Sequence, residues 1–136
     1  MTERRARYKT TRNTSKQRSR HTVINGVEFD SEAEGRRYLY LLAEQQAGNL
    51  SNLEPHPVYQ LHPAFIAGSG ERIRAMHYTA DFRYTFNGRI HVEDVKAFYN
   101  DKRTGKRKPL ITEDARLKIK LFQYQHPEIW FEITEA

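Results

Sequence analysis

The 136-residue sequence has no cysteine, two methionines and a single tryptophan. Without thiols there is no disulfide framework and no thiolate metal site, so any bound metal has to find carboxylate, imidazole or carbonyl donors. Long apolar runs are also missing. Neither a membrane span nor the apolar segment of a secretory signal is therefore expected, and the cytoplasm is the simplest compartment. No internal repeat is visible. The length suits one domain of ordinary size and is short for two.

Acidic charge is scarce at one end. Residues 1–20 hold Arg4, Arg5, Arg7, Lys9, Arg12, Lys16, Arg18 and Arg20 against Glu3 alone, which leaves 15 basic and 16 acidic side chains on residues 21–136. The net charge of +6 therefore belongs to the N-terminal segment, and the rest is close to neutral. A stretch so basic and so poor in apolar residues cannot fold alone, and such arms commonly lie along phosphate backbones. The expected organisation is a basic arm over 1–20 and one domain over 21–136. A merely solvated tail is the plainer alternative.

Within the domain, Asn25-Gly26 marks a turn between short apolar pieces. Ser31 and Glu34 fit a capping box, and Tyr38, Leu41, Leu42 and Gln45 follow at helical spacing, which predicts a helix over about 31–47 closed by Gly48. Pro57 places the short strand Val58-Tyr59-Gln60-Leu61 at a sheet edge or start. A loose turn at 68–71 follows, flanked by two more apolar pieces. Thr112 predicts a second helix from Glu113 to about Gln125 with Leu117, Leu121 and Tyr124 as its apolar stripe, and residues 129–133 read as a last, buried strand. Between the hairpin described next and that helix, Lys102, Arg103, Lys106, Arg107 and Lys108 surround Gly105 in what reads as a mobile basic loop.

The chemistry concentrates between Tyr78 and Phe98. Two runs rich in aromatic and β-branched residues flank Asn87-Gly88, the strongest signal for a two-residue type I′ hairpin. That turn pairs Phe86 with Arg89, and counting back sets Asp81 opposite Asp94, with Lys96 on the same face. Opposed like charges destabilise a sheet, and Asp94 and Lys96 interrupt the apolar row of Ile90 and Val92. Buried charges cost several kcal/mol each unless they are paired or coordinate a metal. Two carboxylates with oxygen-only ligation suit Mg²⁺, which keeps several waters and completes its shell with phosphate oxygens. A solvated cross-strand cluster explains the spacing equally well. Alternation sends Glu93 to the opposite face, so Asp94 is the favoured ligand unless a β-bulge intervenes. His56, His62, His77 and His91 lack the spacing of zinc ligands.

Asp81 followed by Asp94-Val95-Lys96 resembles the bipartite signature of the PD-(D/E)XK nuclease superfamily, with Ala80 standing where the first half usually has proline. The blocks 26–34, Tyr78-Thr79-Ala80-Asp81-Phe82, Val92-Glu93-Asp94-Val95-Lys96 and 117–122 look, more narrowly, like a phage- and prophage-associated family of nuclease-like proteins. That family is similar in turn to phage-type Holliday-junction resolvases, and the likeness covers about residues 22–133. It implies an α/β, restriction-endonuclease-like core of order α-β-β-β-α-β with a mixed sheet flanked by helices. It further implies Mg²⁺-dependent hydrolysis of DNA, probed equally with Mn²⁺, with Asp81, Asp94 and Glu34 as metal ligands and Lys96 as a catalytic residue. Glu34 is also fully explained as a helix cap. Branched DNA as substrate, a homodimer, and a host cytoplasm if the chain is phage-encoded rest on the same likeness. The arm, Lys102 to Lys108, and one of Lys118 and Lys120 are the expected DNA contacts; no small-molecule cofactor is expected. The rival from another class is a non-catalytic DNA- or RNA-binding module with a vestigial acidic cluster.

Overall fold

A computed structural model describes residues 21–136, and the basic arm lies outside the described residues. The chain opens on a hairpin of β1 (Thr22–Ile24) and β2 (Val27–Phe29), turned by Asn25 and Gly26 at φ +51° and +77°, the pair of positive angles that a type I′ turn demands. Helix α1 (Glu32–Gln46) follows, with the Ser31 hydroxyl accepting from the Glu34 N–H as its N-cap. Gly48, at φ +82°, ends it as expected.

Strand β3 (Ser51–Pro55) is not evident in the sequence. Ser-Asn-Leu-Glu-Pro lacks alternation, and the segment becomes a strand by pairing with a better one, with its register shifting around Asn52. Strand β4 (Val58–His62) begins just after Pro57 and pairs with β7 (Met76–Thr79). Between them β5 (Phe65–Ile66) and β6 (Arg72–Ile73) form a small hairpin. Strands β8 (Phe82–Phe86) and β9 (Arg89–Lys96) carry the register fixed by Asn87-Gly88, with Phe86 opposite Arg89 and Phe82 opposite Glu93. Asn87 and Gly88 sit at φ +50° and +73°.

Residues 99–108 are not a loop. They belong largely to a hairpin of β10 (Phe98–Asn100) and β11 (Arg107–Pro109), where Arg107 pairs with Glu135 and Lys108 with Asp101. Only its tip, with Lys102, Arg103 and Lys106, stays an exposed basic turn. Helix α2 (Glu113–Gln125) is capped by Thr112. Its buried side chains are Ile119 and Phe122, whereas Leu117, Leu121 and Tyr124, the stripe expected from spacing, are exposed. Both rows fit a helical period, and the sheet covers the one whose aromatic, Phe122, carries no hydroxyl to satisfy. Strand β12 (Trp130–Glu135) then pairs parallel to β9. It lies at the edge of the sheet and is largely half-exposed, so only Ile129, just before it, meets the expectation of a buried segment.

The result is an α/β fold with a mixed four-stranded sheet in the order β12-β9-β8-β3 and two helices. Tyr38 and Leu41 of α1 pack with Phe29, Phe82, Tyr84 and Val95 over one face. Ile119 and Phe122 of α2 pack with Tyr78, Val92 and Ile129 over the other. Among the described residues no helix is long and apolar enough to cross a membrane.

Alternation along β9 places Glu93 on the α1 face, where it is 1% exposed. Its carboxylate takes two hydrogen bonds from Arg37 of α1, at 2.5 and 2.9 Å, and one from the Tyr84 hydroxyl at 3.0 Å. This planar two-point contact offsets the desolvation of the buried acid and fixes α1 to the sheet. Removing the guanidinium leaves a charge stranded in the core. Arg37→Ala is expected to lower the unfolding free energy by about 3 kcal/mol, read from urea denaturation at neutral pH.

Candidate functional site

The β8–β9 ladder stops one pair short of the two aspartates. At Asp81 the chain bends, and the backbone it withdraws from regular pairing is bonded by side chains instead. The Asp81 N–H donates to Asp94 Oδ1 at 3.0 Å and also to the Glu93 carbonyl at 3.2 Å, while the Val95 N–H donates to Asp81 Oδ2 at 2.7 Å. Each carboxylate therefore braces the other's strand. The register counted from the turn puts them together, but as a pair of crossed braces rather than a regular cross-strand pair.

Tyr78 completes the Asp94 environment by donating its hydroxyl to Oδ2 at 2.5 Å. Asp94 is 4% exposed and Tyr78 5%. Burial, reinforced by the neighbouring Asp94, pushes the Tyr78 hydroxyl pKa well up, so it stays a donor. Asp81 is raised from 3.8 to about 7, first by burial and then by the Asp94 charge; the Val95 N–H and Lys96 oppose this without cancelling it. A carboxyl so perturbed beside another acid marks a functional-site candidate.

The other sequence candidates divide into groups. Lys96 and Lys118 line one cavity of about 270 Å³ with Tyr78, Asp94 and Asp114, so two ammonium groups from different elements flank the acid. Lys118 also lies 3.8 Å from Asp114, one helical turn back. Lys120 is exposed and does not line that cavity, whereas Lys118 does. Glu34, in the first turn of α1, approaches from the other side. Its carboxyl is raised by burial and by Asp30, and its charge is felt by Asp81. Among the described residues no three His, Asp or Glu side chains close on a common point suited to a metal ion. The two carboxylates that the fold brings together at the bend are Asp81 and Asp94, each already accepting protein hydrogen bonds; Mg²⁺ in general takes one or two carboxylates and completes its shell with water and phosphate oxygens.

Three residues carry only weak signals in the sequence. Strict alternation would set Tyr78 on the face of Phe82, away from Asp94, and the bend at Asp81 brings it instead to the α2 face. Arg37 was not singled out, yet a buried Glu93 needs a partner. His56 lacks the spacing of a ligand, and its position between Pro55 and Pro57 is the local signal for its positive φ.

A mixed-sheet α/β domain with an acid pair and lysines at the open end of its strands is the class that this geometry defines. The chain belongs to the protein family described as "Protein of unknown function (DUF1064)", which matches residues 14–135. No curated protein matches it.

The Asp81 shift has a definite sign. The folded protein holds this proton up to about pH 7, whereas the unfolded chain releases it near 4, so stability falls as pH rises through that window and the loss is complete above it. Urea denaturation of Asp81→Asn between pH 4 and 7 is expected to show a shallower decline than the parent protein.

Proposed function

We propose that the protein is a metal-dependent DNA endonuclease of the PD-(D/E)XK type. The observation that carries this reading is the cross-braced pair of half-buried Asp81 and buried Asp94 at the end of the sheet, with Lys96 two residues beyond Asp94. The chain order α1, β3, β8, β9, α2, β12, with β12 parallel to β9, supports a restriction-endonuclease-like core in which β4 to β7 are additions. Mg²⁺, with Mn²⁺ able to substitute, would be held by Asp81 and Asp94, with Glu34 reaching from the helix side. When bound it supplies the positive charge that offsets the acid pair and polarises a phosphodiester.

The chain's own residues do the rest. Tyr78 and the Asp81 N–H hold the Asp94 carboxylate in one orientation, leaving lone pairs on both oxygens free. Lys96, which lines the same cavity as that carboxylate, orients the attacking water and meets the charge that develops on the phosphate oxygens. Lys118 supplies a second ammonium for the same phosphate. The basic arm and the Lys102, Arg103 and Lys106 turn add sequence-independent affinity for the backbone. A branched substrate and a homodimer making paired cuts extend this reading. A binding module without catalysis is favoured by one observation, that both Asp94 oxygens already accept protein hydrogen bonds.

Cleavage separates the two. Incubated with a four-way junction, flap, duplex and single strands, the protein is expected to cut in Mg²⁺, to be silent in EDTA, and to lose at least about 100-fold in rate on Asp94→Asn or Lys96→Ala. Tight binding without any cut would select the module. Deleting residues 1–20 is expected to flatten the dependence of the log binding constant on log salt, and an unchanged slope would remove the arm from the interface.

A further inference from the structure

One residue at this end of the sheet has no role in the mechanism above. His56 follows β3 and precedes Pro57, and its φ is +51°. Four described residues other than glycine have positive φ. Asn25 and Asn87 turn hairpins and Asn52 sits in the β3 irregularity, all with the short amide side chain that tolerates the conformation. His56 is the exception, and a following proline disfavours compact backbone further.

Its surroundings hold it there. The His56 N–H donates to the Asp81 carbonyl at 2.9 Å, the Ala80 N–H donates to the Pro57 carbonyl at 3.0 Å, and Pro57 is fully buried. The turn is thus tied on both sides to the residue that bears the perturbed carboxyl. Backbone held in a sparsely populated region by surrounding structure gathers at functional sites.

The ring is placed as deliberately as the backbone. It packs on the buried Phe29 with centroids 5.3 Å apart, remains half-exposed, and stands near enough to Glu34 to favour that carboxylate. Among the described residues no hydrogen-bond partner engages its ring nitrogens. Lys96 and Lys118 line the α2 side of the acid pair, and the imidazole stands on the α1 side.

We propose that His56 contacts the substrate directly, a ring N–H donating to a phosphate oxygen of the bound strand on the side of the acid pair away from Lys96. A phosphodiester laid across Asp81 and Asp94 is then held from both flanks. The inference rests on the endonuclease reading for its substrate.

Backbone and ring can be tested apart. His56→Gly relieves the positive φ and removes the ring, whereas His56→Asn tolerates the same φ and keeps an N–H donor. The glycine variant is expected to unfold in urea no earlier than the parent, yet to lose about 100-fold in kcat/KM on a four-way junction with Mg²⁺, with the asparagine variant recovering much of the loss. A stable glycine variant with full activity would overturn the contact. A second readout needs no cleavage: in EDTA, the His56 ring signals in ¹H–¹⁵N spectra are expected to move when a mixed-sequence DNA duplex is added. That movement in EDTA, together with no cleavage of any substrate in Mg²⁺, defeats the endonuclease reading and keeps the contact. Binding with unmoved ring signals defeats the contact, and a protein that binds no DNA defeats both.

Discussion

Everything at the open end of this sheet depends on two hydrogen bonds that cross between neighbouring strands. Asp81 takes the Val95 N–H and Asp94 takes the Asp81 N–H, which the Glu93 carbonyl shares, so each acid bonds a backbone group of the other's strand where the ladder is interrupted. The bend at Asp81 is tolerable because of them. It also brings the β3–β4 connection into register, since the Asp81 carbonyl accepts from His56. The acids are structural pegs as well as candidate ligands, and two roles for one side chain explain why they sit in a place that ordinary sheet chemistry disfavours.

The buried acids on the two faces of β9 are handled differently. Glu93 has a full set of donors from Arg37 and Tyr84, and its charge is offset within the fold. Asp81 and Asp94 have backbone and hydroxyl donors, but the cations near them stand in a cavity wall rather than in bonded contact. Burial first, and then the Asp94 charge, raises Asp81, and the Lys96 charge does not cancel them. The strand thus neutralises one acid within the fold and leaves the pair beside it under-compensated.

Local chemistry made much of this readable from the sequence. Asn87-Gly88 carries its own turn geometry, so the Asp81–Asp94 juxtaposition follows by counting, and Ser31 and Thr112 announce their helices through hydroxyls that cap them. The unreadable parts depend on partners distant in the chain. Leu117 and Phe122 lie on rows of α2 with similar claims to burial, and only the position of β7 and β9 decides between them. Strand β3 exists because β8 offers an edge. The charges of β10 and β11 hid a hairpin whose basic residues find Glu135 and Asp101 across space. His56 is the hardest case, because its meaning lies in a backbone angle imposed by Asp81.

The alternation of β9 also sets where the chain can change length. One residue gained or lost between His91 and Glu93 would exchange the faces of Glu93 and Asp94, taking the Glu93 carboxylate away from Arg37 and the Asp94 carboxylate away from Tyr78 in the same event. The β5–β6 hairpin has no such coupling: its residues are largely exposed and its strands pair only with each other. Descendants of this chain can therefore lengthen or shorten between β4 and β7 with little consequence, while β9 is confined to substitution.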